Sequence, residues 1–244
     1  MKIKKIIIFF IALYSFVGCN TQISIDTEKS KDYLYRADSE YHEHNYHGAI
    51  LEYSKAIQFN PNNGNAYHNR ADAKNELEDY HGAIEDYSKA INIDPNLSDS
   101  YFKRGVEHDR LKEYKKAISD YSKVIELNPQ SENSYLARGL AKVELQDFKG
   151  AMSDYNKTIE INPKNKEAYY SRGILKGDNL QDIRGAISDF SKTIELEPKL
   201  PDGYYSRGVA EMKIGQKESG CLDLSKAGEL GYQGVFDLIK KFCN

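Results

Sequence analysis

The sequence predicts an all-α solenoid, and three features support this prediction. First, the segment Lys115–Pro129 returns five times along the chain with small changes, the last copy being degraded. Second, the apolar residues within each copy follow the spacing of an α-helix. Third, each full copy ends on a proline, and successive prolines are 34 or 35 residues apart. A fixed period of this length is typical of proteins that stack one helical hairpin on the next.

Each repeat contains two predicted helices. In the second half of the first repeat, an apolar stripe at i, i+1, i+4, i+7 and i+8 is formed by Ala49, Ile50, Tyr53, Ala56 and Ile57. The first half of the repeat shows helical spacing as well. The residue before a proline is pushed out of the α region, so the recurring prolines are expected to end the second helices. These prolines are Pro61, Pro95, Pro129, Pro163 and Pro198.

Two short motifs recur in these helical pairs. The first helix carries Tyr-x-x-Arg followed by Gly or Ala, as in Tyr135, Arg138 and Gly139. The second helix carries a small residue and an aromatic one four places later, as in Ala117 and Tyr121. This pattern resembles the tetratricopeptide repeat (TPR), which implies a right-handed superhelical solenoid of about six helix-turn-helix units. The six predicted units are 30–63, 64–97, 98–131, 132–165, 166–200 and 201–231.

Two regions depart from the regular pattern. The fifth unit has one extra residue between Gly173 and Ala186, which is expected to lengthen the loop between its helices. Residues 232–244 follow the last unit and carry apolar side chains at i, i+3, i+4 and i+7, the spacing of an amphipathic helix. We expect this helix to cap the solenoid, because a terminal repeat exposes an apolar face. The face consists of Val235, Leu238, Ile239 and Phe242.

Charged and hydroxyl residues also recur with the period. The arginine of the first-helix motif is expected to pack its stem and to direct its guanidinium group to carboxylates or water. Ser-Lys pairs, such as Ser54-Lys55 and Ser122-Lys123, are interpreted as periodic surface features and not as catalytic dyads.

The N-terminus predicts export and lipid attachment. Residues 1–18 combine a cationic start with an apolar run, the layout of a secretory signal peptide. The ending before Cys19 resembles the bacterial lipoprotein signal, which implies cleavage there and lipidation of Cys19. The alternative is an ordinary signal peptide or an anchor helix with an incidental cysteine. Residues 19–29 are interpreted as a tether. The resemblance implies the outer membrane, because in such lipoproteins an Asp at the position of Asn20 often signals retention in the inner membrane. The tether lacks the acidic cluster that some bacteria use for export to the cell surface, which favours the periplasmic face.

The remaining two cysteines form a candidate disulfide. Cys221 and Cys243 lie about equally far from a predicted hairpin turn near Gly231, so they are expected to lie opposite each other. An oxidising periplasm would permit a bridge between them. The alternative is two thiols that never meet.

Composition and motifs exclude several functions. Asp and Glu (37) outnumber Lys and Arg (34), which argues against nucleic acid as a partner. His42, His44 and His47 form the one histidine-rich spot, which is interpreted as solvated surface; we predict no metal site and no cofactor. The sequence contains no Gly-rich phosphate loop, and no Ser/His/Asp set stands apart from residues shared by the repeats, so an enzyme is not expected.

The resemblance also implies a binding groove, because first helices line a concave surface in this family. Its first third is polar and acidic, with Asp38 and Asp72, and these do not match the basic clamp by which some members hold a C-terminal carboxylate. The remainder is apolar, which favours binding of an extended or helical peptide. The alternative is that these side chains bury against neighbouring helices. The candidate groove residues are His68, Phe102, Val106, Leu136, Leu140, Tyr170, Ile174, Tyr205 and Val209.

Together these features predict a membrane-anchored protein–protein interaction scaffold that binds an envelope protein or peptide. One alternative is a pilotin-like assembly factor for an outer-membrane channel, a pilus or a secretion machine. Another is a periplasmic binder of a metal or small ligand that uses the histidine-rich spot.

Overall fold

A computed structural model describes residues 26–243 of the chain. Within this range the chain forms thirteen α-helices connected by short turns, and no β-strand. The predicted all-α fold of helical pairs is confirmed. The helices are α1 (26–42), α2 (Tyr46–Phe59), α3 (Gly64–Glu76), α4 (Tyr80–Ile93), α5 (Ser98–Arg110), α6 (Tyr114–Leu127), α7 (Glu132–Glu144), α8 (Phe148–Ile161), α9 (Lys166–Ile174), α10 (Ile183–Leu196), α11 (Pro201–Lys213), α12 (Lys217–Glu229) and α13 (Val235–Phe242).

The chain divides into two compact units, one ending at Leu111 and the other beginning at Lys112. In the first unit α3 packs against α2 and α4, and α4 packs against α5. In the second unit packing runs in sequence from α6 to α13. The predicted signal peptide, Cys19 and most of the tether lie outside the described residues. From α1 to α13, each helix is too short or too polar to cross a bilayer.

Sequence signals set both ends of the second helices. Helices α2, α4, α6, α8 and α10 each end two residues before a repeat proline, as predicted. At the other end of α2, α4, α8 and α10, an Asn or Asp side chain caps the helix by accepting a hydrogen bond from the amide three residues later, whereas α6 begins after Glu113 without such a cap. Asp147 Oδ1 accepts from Gly150 N at 3.0 Å, and Asp182 Oδ1 accepts from Gly185 N at the same distance.

In the second unit, glycines of α7 and α9 let these first helices approach an aromatic ring of the partner helix. Ala151 and Tyr155 of α8 are buried at 0% and 1% exposure. A Cβ atom added at Gly139 of α7 would lie 2.7 Å from the Tyr155 ring, and one added at Gly173 would lie 2.6 Å from the Phe190 ring. The recurring Gly therefore follows from close packing between helices.

Four of the motif arginines, Arg70, Arg138, Arg172 and Arg207, direct their guanidinium groups to buried carboxylates, one of the two predicted outcomes. Arg172 donates from Nε and Nη2 to Asp189 at 2.9 and 2.6 Å. Lys176 Nζ donates to the same carboxylate at 2.7 Å. The Ser of the Ser-Lys pairs is half-buried and bonded: Ser54 Oγ accepts from Arg70 and donates to the Ile50 carbonyl. The prediction of a surface feature thus fits Lys55, whose side chain is 40% exposed, but Ser54 also bonds to the neighbouring helix.

The extra residue of the fifth unit was predicted to lengthen the loop between the two helices, and this prediction is wrong. It is accommodated in a π-helical turn, Leu175–Asn179, that continues directly from α9. Leu175 is 1% exposed, so the turn is part of the packed structure. Turns of this kind are frequent at functional sites.

The predicted apolar face of the capping helix is only partly buried. Val235 is fully buried and lies 3.0 Å from the position of a Cβ atom added at Gly228. Phe242 is 41% exposed, so the prediction that it covers the last unit is wrong. The residue after Phe242, Cys243, is bonded to Cys221 of α12, so the end of α13 stays beside α12 while the Phe242 ring is left partly in solvent.

Candidate functional site

The second unit contains an apolar cavity of about 210 Å³ between the first helices of the fifth and sixth repeats. Three of the predicted groove residues line it: Ile174 of α9 and Tyr205 and Val209 of α11. Phe190 and Ile183 of α10 add to the apolar lining. A concave apolar surface with a few polar groups at its edge is the usual form of a ligand site.

The π-helical turn shapes one side of this cavity. It places Gly177 and Asp178 in the lining, beside Lys213 of α11. Lys213 Nζ lies 3.4 Å from Asp178 Oδ1, and their side chains are 49% and 60% exposed. The mouth of the cavity therefore carries one charge of each sign above an apolar interior.

Tyr170 supports the cavity and does not line it. Its ring lies 5.8 Å from the Phe190 ring, and its hydroxyl is 3.3 Å from Ser206 Oγ. Burial raises the pKa of Tyr170, with the neighbouring Asp202 contributing in the same direction. Tyr205 is held by Tyr232, whose ring stacks on it at 4.1 Å.

The other two predicted groove residues of the second unit, Leu136 and Leu140, differ in how far they are buried. Leu136 packs against the core of Ala151, Tyr155 and Leu175, as the burial alternative expects. Leu140 lies one helical turn later and is 47% exposed. The sequence pattern placed both on one helix face, but only Leu140 is open to a partner.

In the first unit His68 belongs to a polar network. Its Nδ1 lies 2.8 Å from Ser100 Oγ, and its Nε2 lies 3.2 Å from Asp99 Oδ2 and 3.6 Å from Asp72 Oδ2. The hydrogen bond from His68 lowers the pKa of Asp99. The centroid of the His68 ring is 5.5 Å from that of the Tyr87 ring. These contacts hold His68 in place. Phe102 and Val106 are half-buried on α5.

A second cavity, of about 300 Å³, lies in the first unit. Two carboxylates at equivalent repeat positions line it, Asp38 and Asp72. Each accepts a hydrogen bond from a buried tyrosine of its own repeat: Tyr53 Oη to Asp38 at 2.6 Å and Tyr87 Oη to Asp72 at 2.5 Å. Burial, together with these acceptors, raises the pKa of both tyrosines well above the usual value.

The remaining candidate residues are the histidines and cysteines. In the part of the chain from 26 to 243, no group of three or more His, Cys, Asp or Glu is arranged to hold a metal ion. His44 Nδ1 lies 2.9 Å from the Tyr46 hydroxyl instead. Cys221 of α12 and Cys243 after α13 are joined by a disulfide in the structure, with Cα atoms 5.6 Å apart.

Sequence reasoning missed two sets of residues. The buried aspartates that bind the arginines were not singled out, although Asp recurs directly before the aromatic residue of the second helix. Asn69 and Tyr41, which line the first cavity with Asp38, were not placed there either. The repeat period could have identified both sets, because residues 34 positions apart occupy equivalent places in successive repeats.

Comparison with solved structures finds the same fold in other proteins. MamA protein is 27% identical, with a TM-score of 0.66 over 70% of this chain and 93% of that chain. YrrB, a TPR protein with an unusual peptide-binding site, is 23% identical, with a TM-score of 0.65 over 78% and 97%. PilF of Pseudomonas aeruginosa is 13% identical, with a TM-score of 0.71 over 88% and 98%. The last two likenesses concern the fold alone.

Sequence comparison identifies the repeats directly. Tetratricopeptide repeat models match residues 52–85, 98–131 and 132–165, and a TPR repeat model matches residues 71–108. None of the curated proteins matches the chain. The matches to 98–131 and 132–165 each cover one helical pair with its recurring Tyr, Arg, Gly and Ala positions, and residues 52–165 belong to the tetratricopeptide-repeat family.

Proposed function

We propose that this protein is a binding scaffold that holds an apolar side chain of a partner protein in the cavity between the fifth and sixth repeats. The cavity lined by Ile174, Tyr205 and Val209 is the observation that carries the proposal. Its volume of about 210 Å³ is large enough for one aliphatic or aromatic side chain. Family membership supports a protein or peptide as the partner, and YrrB is a family member described with a peptide-binding site.

The cavity is suited to an apolar side chain of a partner because the residues that line it are already fixed by packing. Phe190 is 3% exposed and packs against Tyr170, and Tyr205 stacks on Tyr232. A preformed apolar site binds without first ordering its own side chains, which reduces the entropic cost of association. Leu140, which is 47% exposed on α7, offers a second apolar contact in the same unit.

The proposed location is the periplasmic face of the outer membrane. The cationic and apolar leader at 1–18, followed by Cys19, supports export and lipidation. Several acyl chains on one cysteine hold a protein at a bilayer far better than a single chain does. The partner would then be another protein of the cell envelope.

Two narrower roles receive less support. A pilotin-like role has the fold of PilF in its favour, but 13% identity does not extend beyond the fold. A metal-binding role would need a donor set, and the described residues contain none. The apolar cavity favours the general scaffold.

Substitution of Val209 tests the proposal. Val209→Asp places a charge in the apolar cavity, so partner capture should fall at least tenfold, since burying an unpaired charge is strongly unfavourable. The control is Ser188→Asp, which adds the same charge at an exposed site on α10. Circular dichroism verifies that both variants stay helical. Equal capture by the two variants would contradict the proposal.

A further inference from the structure

The first-unit cavity differs from the equivalent place in the next repeat by one cation. Asp38 and Asp72 are 34 residues apart and occupy the same place on α1 and α3. Each accepts a hydrogen bond from the buried tyrosine 15 residues later. The two carboxylates are therefore held in the same way by their own repeats.

The residue that the following repeat places against each carboxylate differs between Asp38 and Asp72. Lys103 of α5 donates from Nζ to Asp72 Oδ2 at 3.1 Å. The residue equivalent to Lys103 one repeat earlier is Asn69, whose amide is 3.4 Å from Asp38 Oδ1. Among the described residues, Asp38 thus has a neutral hydroxyl and a neutral amide as its partners, and no Lys or Arg forms an ion pair with it.

An open volume adjoins both Asp38 and Asn69. The cavity of about 300 Å³ is lined by Asp38, Asn69 and Asp72 together with Tyr41 and His42. A half-buried carboxylate without a counter-charge attracts a cation more strongly than a solvated one does. Tyr41 also lines the cavity, and its aromatic ring is of a type that attracts ammonium groups.

The surrounding field favours positive charge. Burial raises the pKa of Tyr41, and the nearby carboxylates of Asp72 and Glu76 raise it further. Lys103 forms an ion pair with Asp72, whereas no Lys or Arg among the described residues forms one with Asp38. In the next repeat, the group that fulfils this role is a lysine ammonium.

We propose that this cavity binds a primary ammonium group, carried by a lysine side chain of the partner, against Asp38 and Tyr41. The biological meaning of the site rests on the proposed scaffold function, whereas the site itself can be tested without the partner. It lies in the first unit and adds a polar contact to the apolar anchor bound in the second unit.

The first experiment uses Nα-acetyl-lysine methylamide as the probe and the full chain in detergent. Saturation-transfer difference NMR gives the dissociation constant of the probe. We expect the Nε-acetylated probe, which has no charge, to bind about tenfold more weakly, the usual size of a charge-assisted hydrogen bond. Asp38→Asn should have a similar effect on the charged probe. Asp237→Asn, which removes an exposed acid of α13, should change the constant less than about twofold.

The second experiment fills the cavity from within. Asn69→Lys recreates the arrangement of Lys103 on Asp72, so its ammonium should occupy the site and reduce binding of the charged probe at least about tenfold. The control is Asn69→Gln, which keeps the amide and should retain binding. This variant decides the question even if Asp38→Asn disturbs folding.

Equal binding of the charged and acetylated probes would overturn the proposal, and so would unchanged binding by Asn69→Lys. Neither result would affect partner capture through Val209, which lies in the other unit. Conversely, equal capture by the Val209→Asp and Ser188→Asp variants would leave the probe result standing. Failure of the ammonium site and failure of the scaffold function are therefore distinguishable.

Discussion

Arg138 and Asp154 are joined by two hydrogen bonds, from Nε to Oδ2 at 3.0 Å and from Nη2 to Oδ1 at 2.7 Å. The third nitrogen of the same guanidinium, Nη1, donates to Ser122 Oγ at 3.0 Å. Arg138 thus connects α7 to the second helix of its own repeat and to that of the preceding repeat. Lys142 adds an ion pair to Asp154 at 2.7 Å. The planar guanidinium suits this arrangement because it donates in several fixed directions.

The first prediction concerns Asp154. Its carboxylate is buried and neutralises two cations, so Asp154→Asn should lower the free energy of unfolding by about 3–5 kcal/mol, the usual cost of breaking a buried ion pair on one side. Urea unfolding followed by circular dichroism measures the change.

Glu144→Gln provides the control for Asp154→Asn. It removes one negative charge from an exposed residue of α7 and should change stability by less than about 0.5 kcal/mol. Similar unfolding midpoints for the two variants would mean that the buried arginine network contributes little.

The second prediction concerns Glu211, which stands where other repeats have Lys74, Lys142 or Lys176. Glu211 is 9% exposed, and its Oε2 is buried without a hydrogen-bond partner. Burial raises the pKa of Glu211, and nearby Asp223 raises it further. Glu211→Gln should therefore stabilise the protein at pH 7 by about 1–2 kcal/mol, because it removes an unfavourable buried charge.

The pH dependence gives the sign of this effect. Because the folded-state pKa of Glu211 is raised, protonation favours the folded state, and the ionised form costs stability above that pKa. The advantage of Glu211→Gln should shrink as the pH falls and disappear below about 4, where the side chain is protonated in both states. Unfolding midpoints at several pH values measure this. The exposed Glu218 supplies the control Glu218→Gln, and a pH-independent gain would contradict the prediction.

The period made the fold predictable, but it could not predict how individual positions are used. Proline and asparagine or aspartate signals act locally, so the ends of α2 or α8 followed from sequence. The binding of Arg138 to Asp154 joins two helices, and nothing in the spacing alone distinguishes it from a solvated arginine. Repeat one illustrates this point: Glu52 replaces the aspartate, and Arg36 pairs with Asp32 at 2.7 Å on the surface instead.

The candidate sites were predictable only in part, for a similar reason. Helical spacing placed Ile174 and Val209 on equivalent faces of the first helices of their repeats. The cavity between them also depends on the π-helical turn, which the spacing did not predict. One extra residue can enlarge a loop or widen a helix, and packing decides between these outcomes. Here Leu175 is buried when the helix widens. In the same way, spacing could not tell that Leu136 packs into the core whereas Leu140 stays open.

The third prediction concerns the disulfide between Cys221 and Cys243, which are 22 residues apart in sequence. The bridge should restrain α13, and closing a loop of this size contributes roughly 3 kcal/mol when unstrained. Protein purified without reductant should therefore show no alkylation of either cysteine by iodoacetamide, as measured by mass spectrometry. Prior reduction should make both reactive and lower the melting temperature. Labelling of both thiols without reduction would contradict the bridge.

The fourth prediction concerns membrane attachment through Cys19. Cys19→Ala removes the proposed site of lipidation, so the protein should move from the membrane fraction to the soluble fraction and stop incorporating labelled palmitate. Cys243→Ala, which changes a cysteine far from the leader, should remain with the membrane. Unchanged membrane fractionation of Cys19→Ala would refute the lipid anchor.

The most direct test of the scaffold proposal is site-specific photo-crosslinking in intact cells. A benzophenone amino acid at Val209 lies in the apolar cavity of the second unit, and one at Ser188 lies on the exposed face of α10. We expect position 209 to yield one dominant crosslinked protein and position 188 to yield none. The crosslink should disappear when Ile174→Asp is introduced beside it. Equal products from both positions, or a crosslink that survives Ile174→Asp, would contradict binding in this cavity.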